Sequence, residues 1–242
     1  RIEKIQDLGQ LLFSRLEDNP AVQRLTHGKD TLPLSSLIQE ALTIAMSYRA
    51  EKRSIIVVKN SLYNAQRLYD RMSTLLGEKE CALFGVDESL RVEAIASSPE
   101  MMANQVDTLA SLLEEPHQVI ITNPSGILRY LPDPETFASG CIELKTGDRL
   151  DMEELKRRLR AGGYFQTTHI DQPLSFAARG GIVDVFSINC EQPVRIEFFD
   201  DEVDSIRSFD VDTQKTTETL KEVRIVPANT VLFTDEQVEK IA

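Results

Sequence analysis

Apolar residues recur along this chain with two different periods. In the first half they fall at helical spacing, separated by short apolar runs. Ile2, Ile5, Leu8, Leu11, Leu12 and Leu16 mark a helix over residues 2–17, ended by Asp18-Asn19-Pro20. A polar loop follows over 25–31. Ser35 or Ser36 then caps a helix to about Tyr48, with Leu37, Ile38, Ala41, Leu42 and Ala45 on its apolar face. The run Arg53-Ser54-Ile55-Ile56-Val57-Val58 predicts a buried parallel strand. Asn60-Ser61 caps a helix over about 62–76 that stops at Gly77, and Cys81-Ala82-Leu83-Phe84 predicts a second strand. Ser98-Pro99-Glu100 opens a helix to about Leu113, with Pro in its first turn. Val119-Ile120-Ile121-Thr122 predicts a third strand, and Asn123-Pro124 starts a short helix through Tyr130. Residues 85–97 are acidic and carry no clear pattern.

Strands alternating with helices of 10–18 residues predict an open parallel α/β sheet over about 20–140. Leu131-Pro132-Asp133-Pro134-Glu135 marks a boundary. Beyond it one helix is predicted, from Asp151 to about Ala161, with a capping box of Asp151 and Glu154 and a Gly162-Gly163 stop. The remainder reads as strands at 164–169, 176–188, 193–199, 202–209 and 221–226, an α+β module of about 85 residues.

The strand signal is densest over 176–209. In Val194-Arg195-Ile196-Glu197-Phe198-Phe199, side chains alternate across a sheet. Val194, Ile196 and Phe198 face a core, while Arg195, Glu197 and Phe199 face the other way. Arg195 and Phe199 then lie roughly 13 Å apart on one strand face. Arg and aromatic residues anchor protein interfaces, so this face reads either as a partner contact or as a solvated one. Arg179 precedes Gly180-Gly181, where a bulge or sharp bend is expected. It is either presented to a partner by that bend or solvated at a strand start.

Composition narrows the functional classes. The formal net charge of −12 does not suit a main DNA-gripping surface. It suits docking onto a basic protein partner, as it suits many acidic proteins. Cys81, Cys141 and Cys190 are widely spaced, with no CxxC or Cys/His cluster, so neither a zinc site nor a disulfide framework is expected. Free thiols fit a cytoplasmic location. No apolar run reaches the ~20 residues of a membrane span. Both ends read as cuts in a longer protein, since the chain opens on Arg1 and stops inside a helix begun at Thr234-Asp235-Glu236-Gln237.

A doubly wound first half raises the question of nucleotide chemistry. A phosphate loop needs Gly-x-x-x-x-Gly-Lys-Ser/Thr, because backbone amides cradle the phosphates, Lys neutralises them and the hydroxyl holds magnesium. The nearest match, Gly28-Lys29-Asp30, has Gln23 at the first Gly position and an anion, Asp30, at the hydroxyl position. It reads as a polar turn. The strand at 119–122 ends in Thr122-Asn123 rather than an acidic pair that would hold magnesium. Asp200-Asp201-Glu202 and Asp204 read as an acidic hairpin turn, and His27, His117 and His169 as surface residues. Tyr63, Arg67 and Tyr69 read as helix surface and core, and Met101-Met102 as helix packing.

The run Phe-Ala-Ala-Arg-Gly-Gly-Ile-Val-Asp-Val-Phe at 176–186, followed by Arg-Ile-Glu-Phe-Phe-Asp-Asp-Glu-Val-Asp-Ser-Ile-Arg-Ser-Phe-Asp-Val-Asp-Thr-Gln at 195–214, resembles the UvrB-homology region of the bacterial transcription-repair coupling factors. The likeness is specific over about 143–228, looser over 33–142, and slight at 1–30 and 85–98. It implies a degenerate P-loop, helicase-like α/β domain over 1–142. An inserted α+β domain that docks UvrA would occupy 143–228, and a return into the first domain would begin at 229–242. It also implies that Arg179, Arg195 and Phe199 are the docking residues. The fragment would then be a non-catalytic adaptor with no cofactor or metal of its own. ATP, magnesium, RNA polymerase and double-stranded DNA would belong to motor and polymerase-binding domains elsewhere in the parent, whose C-terminal domain would mask the UvrA-binding face. UvrB itself, or another helicase-like repair enzyme, is the alternative, and each would need the phosphate loop.

Overall fold

The computed structural model describes residues 19–27, 32–51, 53–87 and 99–230. The chain divides into two compact units, each built of helices and strands. The first takes the described residues up to Asp87 together with Glu115–Leu128, and the second takes 99–114 and everything from Arg129 onward. The expected helix at 2–17, the Gly28-Lys29-Asp30 turn, residues 88–97 and the helix at Thr234 lie outside the described residues.

The first unit contains α1 (Pro20–His27), α2 (Leu37–Glu51), β1 (Ile55–Val58), α3 (Leu62–Leu76), β2 (Cys81–Phe84), β3 (Val119–Thr122) and the single turn Pro124–Ile127. Its strands pair in parallel in the order β1-β3-β2, with Ile55 and Cys81 flanking Val119. The helix ends follow their capping chemistry. Ser36 Oγ accepts from the Gln39 amide at 3.3 Å, and the Gln39 side chain returns to the Ser35 amide at 3.0 Å. Ser61 Oγ accepts from the Asn64 amide at 3.2 Å, and Gly77 closes α3 at φ 95°. Ala41, Ala45, Leu68, Met72, Val119 and Ile121 form the core between the helices and the sheet.

Two expectations fail here. β1 is not buried on both faces: Ile55 and Val57 pack toward the helices, but Ile56 and Val58 are 59% and 45% exposed. β1 is an edge strand with only β3 beside it, and the described residues leave its Ile56–Val58 face largely uncovered. Ile38 is likewise 61% exposed; α2 buries the face of Ala41, Ala45 and Tyr48 instead.

The second unit contains α4 (Pro99–Glu114), α5 (Pro134–Gly140), β4 (Ile142–Lys145), α6 (Met152–Ala161) and seven further strands. These are β5 (Phe165–Thr167), β6 (Ser175–Arg179), β7 (Ile182–Phe186), β8 (Val194–Phe199), β9 (Glu202–Phe209), β10 (Thr216–Leu220) and β11 (Glu222–Ile225). Six of them form one sheet in the order β10-β9-β8-β7-β6-β5, antiparallel except where β5 meets β6. β11 pairs antiparallel with β4. The six-stranded sheet buries Phe176, Val183, Val185, Val194, Ile196, Val203 and Ile206 on one face, in a core shared with Leu155 and Leu159 of α6, Ile142, Leu144, Val223 and Ile225.

The predicted α6 is present, and Asp151 caps it by accepting from the Glu153 amide at 2.6 Å. Glu154 does not close a capping box. It forms a two-point pair with Arg157 at 2.7 and 2.8 Å, and that bidentate geometry competes for the carboxylate. The single strand expected over 176–188 is a hairpin: Gly180 takes φ +56°, the first central position of a two-residue turn, and the chain reverses there. α5, capped by Asp133 accepting from the Thr136 amide at 2.9 Å, and the edge strand β10 were not anticipated. Among the described residues no helix is long and apolar enough to cross a membrane.

Leu155 is 0% exposed in the centre of the second unit's core. Leu155→Ala is expected to destabilise that unit by about 2–5 kcal/mol, read as a lower urea midpoint. The exposed Ile38→Ala is expected to change the stability of the first unit by less than about 0.5 kcal/mol.

Candidate functional site

The functional candidates divide between the two units. In the first, a cavity of about 460 Å³ opens beside the C-terminal end of β1, lined by Ser35, Ser36, Glu40, Lys59, Asn60 and Arg67. Ligands in open α/β sheets bind beyond the carboxyl ends of the strands, so its position is the one a nucleotide would take. Its lysine is already committed, while Arg67 lies 5.7 Å from the centre of the Tyr63 ring and has no carboxylate partner among the described residues. Lys59 Nζ lies 2.6 and 2.8 Å from the two Glu40 oxygens, so the cation is neutralised internally. At the end of β3, Thr122 Oγ1 donates to the Phe84 carbonyl at 2.6 Å. The Asn123 side chain donates to the Val86 carbonyl at 2.7 Å and accepts from its amide at 3.1 Å. Both residues are buried, and they fasten β3 to the end of β2.

No activated nucleophile emerges among the thiols. Burial, with Glu80 nearby, pushes the Cys81 thiol up to about 12. Burial also raises Cys141 and Cys190, although Arg224 draws Cys141 part of the way back. A thiol so raised is neutral at ordinary pH. Among the described residues no group of three or more His, Cys, Asp or Glu is placed to hold a metal ion. Asp200 and Asp201 form the β8–β9 turn, with Asp200 at φ 60°.

The second unit places Arg179, Arg195 and Phe199 on one face of the six-stranded sheet, opposite to the face covered by α6. Residues directly across an antiparallel ladder share a face. Arg179 is opposite Ile182, Ile182 is opposite Glu197, and Glu197 is opposite Ser205. Arg195 and Phe199 stand two residues to either side of Glu197 on β8. With strands about 4.8 Å apart and about 3.4 Å per residue, the three backbones fall within roughly 13 Å of one another. β8 alternates as its sequence predicts: Val194 and Ile196 are buried and Phe198 packs against the same core, while Phe199 is 78% exposed.

The three residues sit in different environments. Arg179 is exposed at the end of β6, and among the described residues it has no ion-pair partner. Phe199 stands at the end of β8, two residues beyond the row of Arg179 toward the same end of the sheet, beside the acidic turn. Arg195 is largely sequestered, with 15% of its side chain exposed. Its Nε and Nη2 donate to Oδ1 and Oδ2 of Asp184 at 2.7 and 2.8 Å, and its guanidinium lies 4.6 Å from the centre of the Phe209 ring. The bond to Asp184 holds Arg195 still further above its already high range.

Sequence patterning puts Glu197 on this face but does not identify Asp184, Arg207 and Phe209 as parts of it. Asp184 lies directly across from Arg195 on β7, and Arg207 directly across from it on β9. Two arginines opposite each other repel unless each has its own anion. Here Arg195 has Asp184, and Arg207 Nη2 donates to Glu197 at 2.8 Å, with Ser205 Oγ on the same oxygen at 3.1 Å. The signal was present in the order Arg-Ile-Glu on β8 and Ser-Ile-Arg on β9, but only the strand register makes it readable. Glycine fixes the upper end of the face: a Cβ on Gly181 would come within 3.0 Å of the Phe198 carbonyl, whose own amide donates to Gly181 O at 2.8 Å.

Residues 142–230 match the family model of the UvrB interaction domain, a span that contains the whole of this face. The chain is 33% identical over 204 residues to the transcription-repair-coupling factor of Bacillus subtilis (strain 168), covering 84% of this chain and 17% of that protein. It is 31% identical over 202 residues to that of Staphylococcus haemolyticus (strain JCSC1435), covering 84% and 17%. It is 29% identical over 198 residues to that of Staphylococcus aureus (strain bovine RF122 / ET3-1), covering 82% and 17%. The matched part is therefore 17% of the length of these relatives.

The two arginines should separate in a stability measurement. Arg195→Ala leaves the Asp184 carboxylate, only 8% exposed, without its cation, and is expected to cost about 3 kcal/mol by urea unfolding. Arg179→Ala is expected to change stability by less than about 0.5 kcal/mol.

Proposed function

We propose that this chain, which matches the UvrB interaction domain at residues 142–230 and is similar to transcription-repair-coupling factors over 84% of its length, is the adaptor region of such a factor and recruits UvrA to sites of transcription-coupled repair. The observation that carries the reading is the part of this sheet face left exposed around Phe199 and Arg179, beside a stretch of the same face where Phe209, Ala177 and Ile170 are buried together. An exposed Phe199, an exposed Arg179 and a locked Arg195 share that face, while the opposite face is closed by α6. Interfaces concentrate their energy in a few aromatic and Arg residues of this kind.

The first unit supports a non-catalytic role. Lys59 is neutralised by Glu40, and Thr122 and Asn123 hold the strand ends together, where a nucleotide-hydrolysing relative would need a free lysine and an acidic pair. In this reading the parent protein supplies ATP-driven translocation on double-stranded DNA and contact with a stalled RNA polymerase from regions outside this chain. The UvrA-binding face would be its point of entry into excision repair.

Titration of the chain with purified UvrA tests the proposal. Wild type is expected to bind, and Arg179→Ala and Phe199→Ala are each expected to weaken binding by about 2 kcal/mol, roughly thirtyfold, with unfolding midpoints unchanged. Binding by both variants at wild-type strength would remove this face from the interface.

A further inference from the structure

We infer that Asp184 is a positioning residue of the docking face: it clamps one edge of the Arg195 guanidinium and aims the other edge at a carboxylate on the partner. This rests on the reading of the face as the UvrA-docking surface and specifies how one of its residues is used.

A guanidinium offers two edges that can each engage a carboxylate at two points, one formed by Nε and Nη2 and one by Nη1 and Nη2. Asp184 occupies the first edge completely, through Nε at 2.7 Å and Nη2 at 2.8 Å. Nη1 has no hydrogen-bond partner among the described residues and is not buried. The second edge is therefore free, with its direction already fixed.

Three further features fix it. Asp184 and Arg195 are directly opposed in the β7–β8 ladder, so the pair is set by backbone register rather than by two long flexible side chains. The Phe209 ring, 0% exposed, supports one face of the guanidinium at 4.6 Å. Glu197, the nearest other anion on the same strand, is engaged by Arg207 and Ser205. Held there, Glu197 does not compete for the free edge of Arg195. A carboxylate matches the flat two-point edge, and Arg–carboxylate pairs of this geometry are the strong ones. An arginine held in this way gives up less conformational entropy on binding than a free one.

The alternative use of the same pair is competition, in which Asp184 must release Arg195 before a partner can bind. The two predict opposite effects of Asp184→Asn, which keeps the shape and removes the charge and the two-point clamp. The experiment is titration of the full 242-residue chain with UvrA, with Asp184→Asn, Arg195→Ala and the double variant in a cycle, and thermal melts of each. Positioning predicts that Asp184→Asn weakens binding about tenfold but has no further effect in the Arg195→Ala background. A merely structural role would lower binding equally in both backgrounds and overturns the inference. Wild-type or tighter binding by Asp184→Asn overturns it too, while losses in Arg179→Ala and Phe199→Ala would leave the docking reading standing. Arg195→Lys gives a check that leaves Asp184 in place. Lysine keeps the charge and has no second edge, so it is expected to bind as weakly as Arg195→Ala, and wild-type affinity would refute the aimed edge. Absence of UvrA binding by the wild-type chain would overturn the inference and the docking reading together.

Discussion

A β-strand cannot send two neighbouring side chains to the same face, and the second unit is organised by that constraint. Once Val194 and Ile196 are drawn into the core against α6, Arg195, Glu197 and Phe199 are delivered to the opposite face. The ladder then extends the assignment to β6, β7 and β9, which places Arg179, Asp184 and Arg207 on that same face. Hydrophobic burial provides the driving force; the polar arrangement on the far side follows from register.

That coupling gives the far side an unusual character. It is neither a plain solvated surface nor an apolar patch. Its charges are arranged as two neutral pairs, Asp184 with Arg195 and Glu197 with Arg207, and the first of these is mostly withdrawn from water. A surface of this kind is ordered before any partner arrives. Phe199 and Arg179 remain outside the arrangement, one apolar and one cationic, toward the same end of the sheet. Pairing and exposure are therefore divided among residues that a sequence reading would group together.

The parts of the fold that could be read from sequence are those where local chemistry and burial agree. Ser61 and Gly77 bracket α3, Asp151 opens α6, and the apolar runs at 81–84 and 119–122 are strands. The parts that could not be read depend on long-range geometry. Gly180-Gly181 suggests a bend, but only pairing shows a complete reversal. β9 buries Val203 and Ile206, three residues apart rather than two, because its register with β8 slips by one residue between the Ser205 and Val203 pairings. β10 is Thr-Thr-Glu-Thr-Leu and offers no core-facing period, since as an edge strand it contributes little to the core. Arg195 and Phe199 could be recognised as unusual from alternation alone. Asp184 could not, because its relevance lies in being eleven residues away in sequence and directly opposite in the sheet.

The two units are also interleaved in sequence. β3 is the central strand of the first sheet, flanked by β1 and β2, which do not pair with each other. α4, which precedes β3 in the chain, belongs to the second unit and packs Val106 and Ala110 against Phe137 and Val226. A ribosome therefore delivers both edges of the first sheet before its centre, and it delivers a helix of the second unit before the first unit can close. That helix meets Phe137 only after β3 has been made, and it must wait for Val226 until more than a hundred residues later. Units of a multi-domain chain generally fold one after another as they emerge. Here the order of synthesis forbids a clean succession, and no single cut of the chain would release either unit whole.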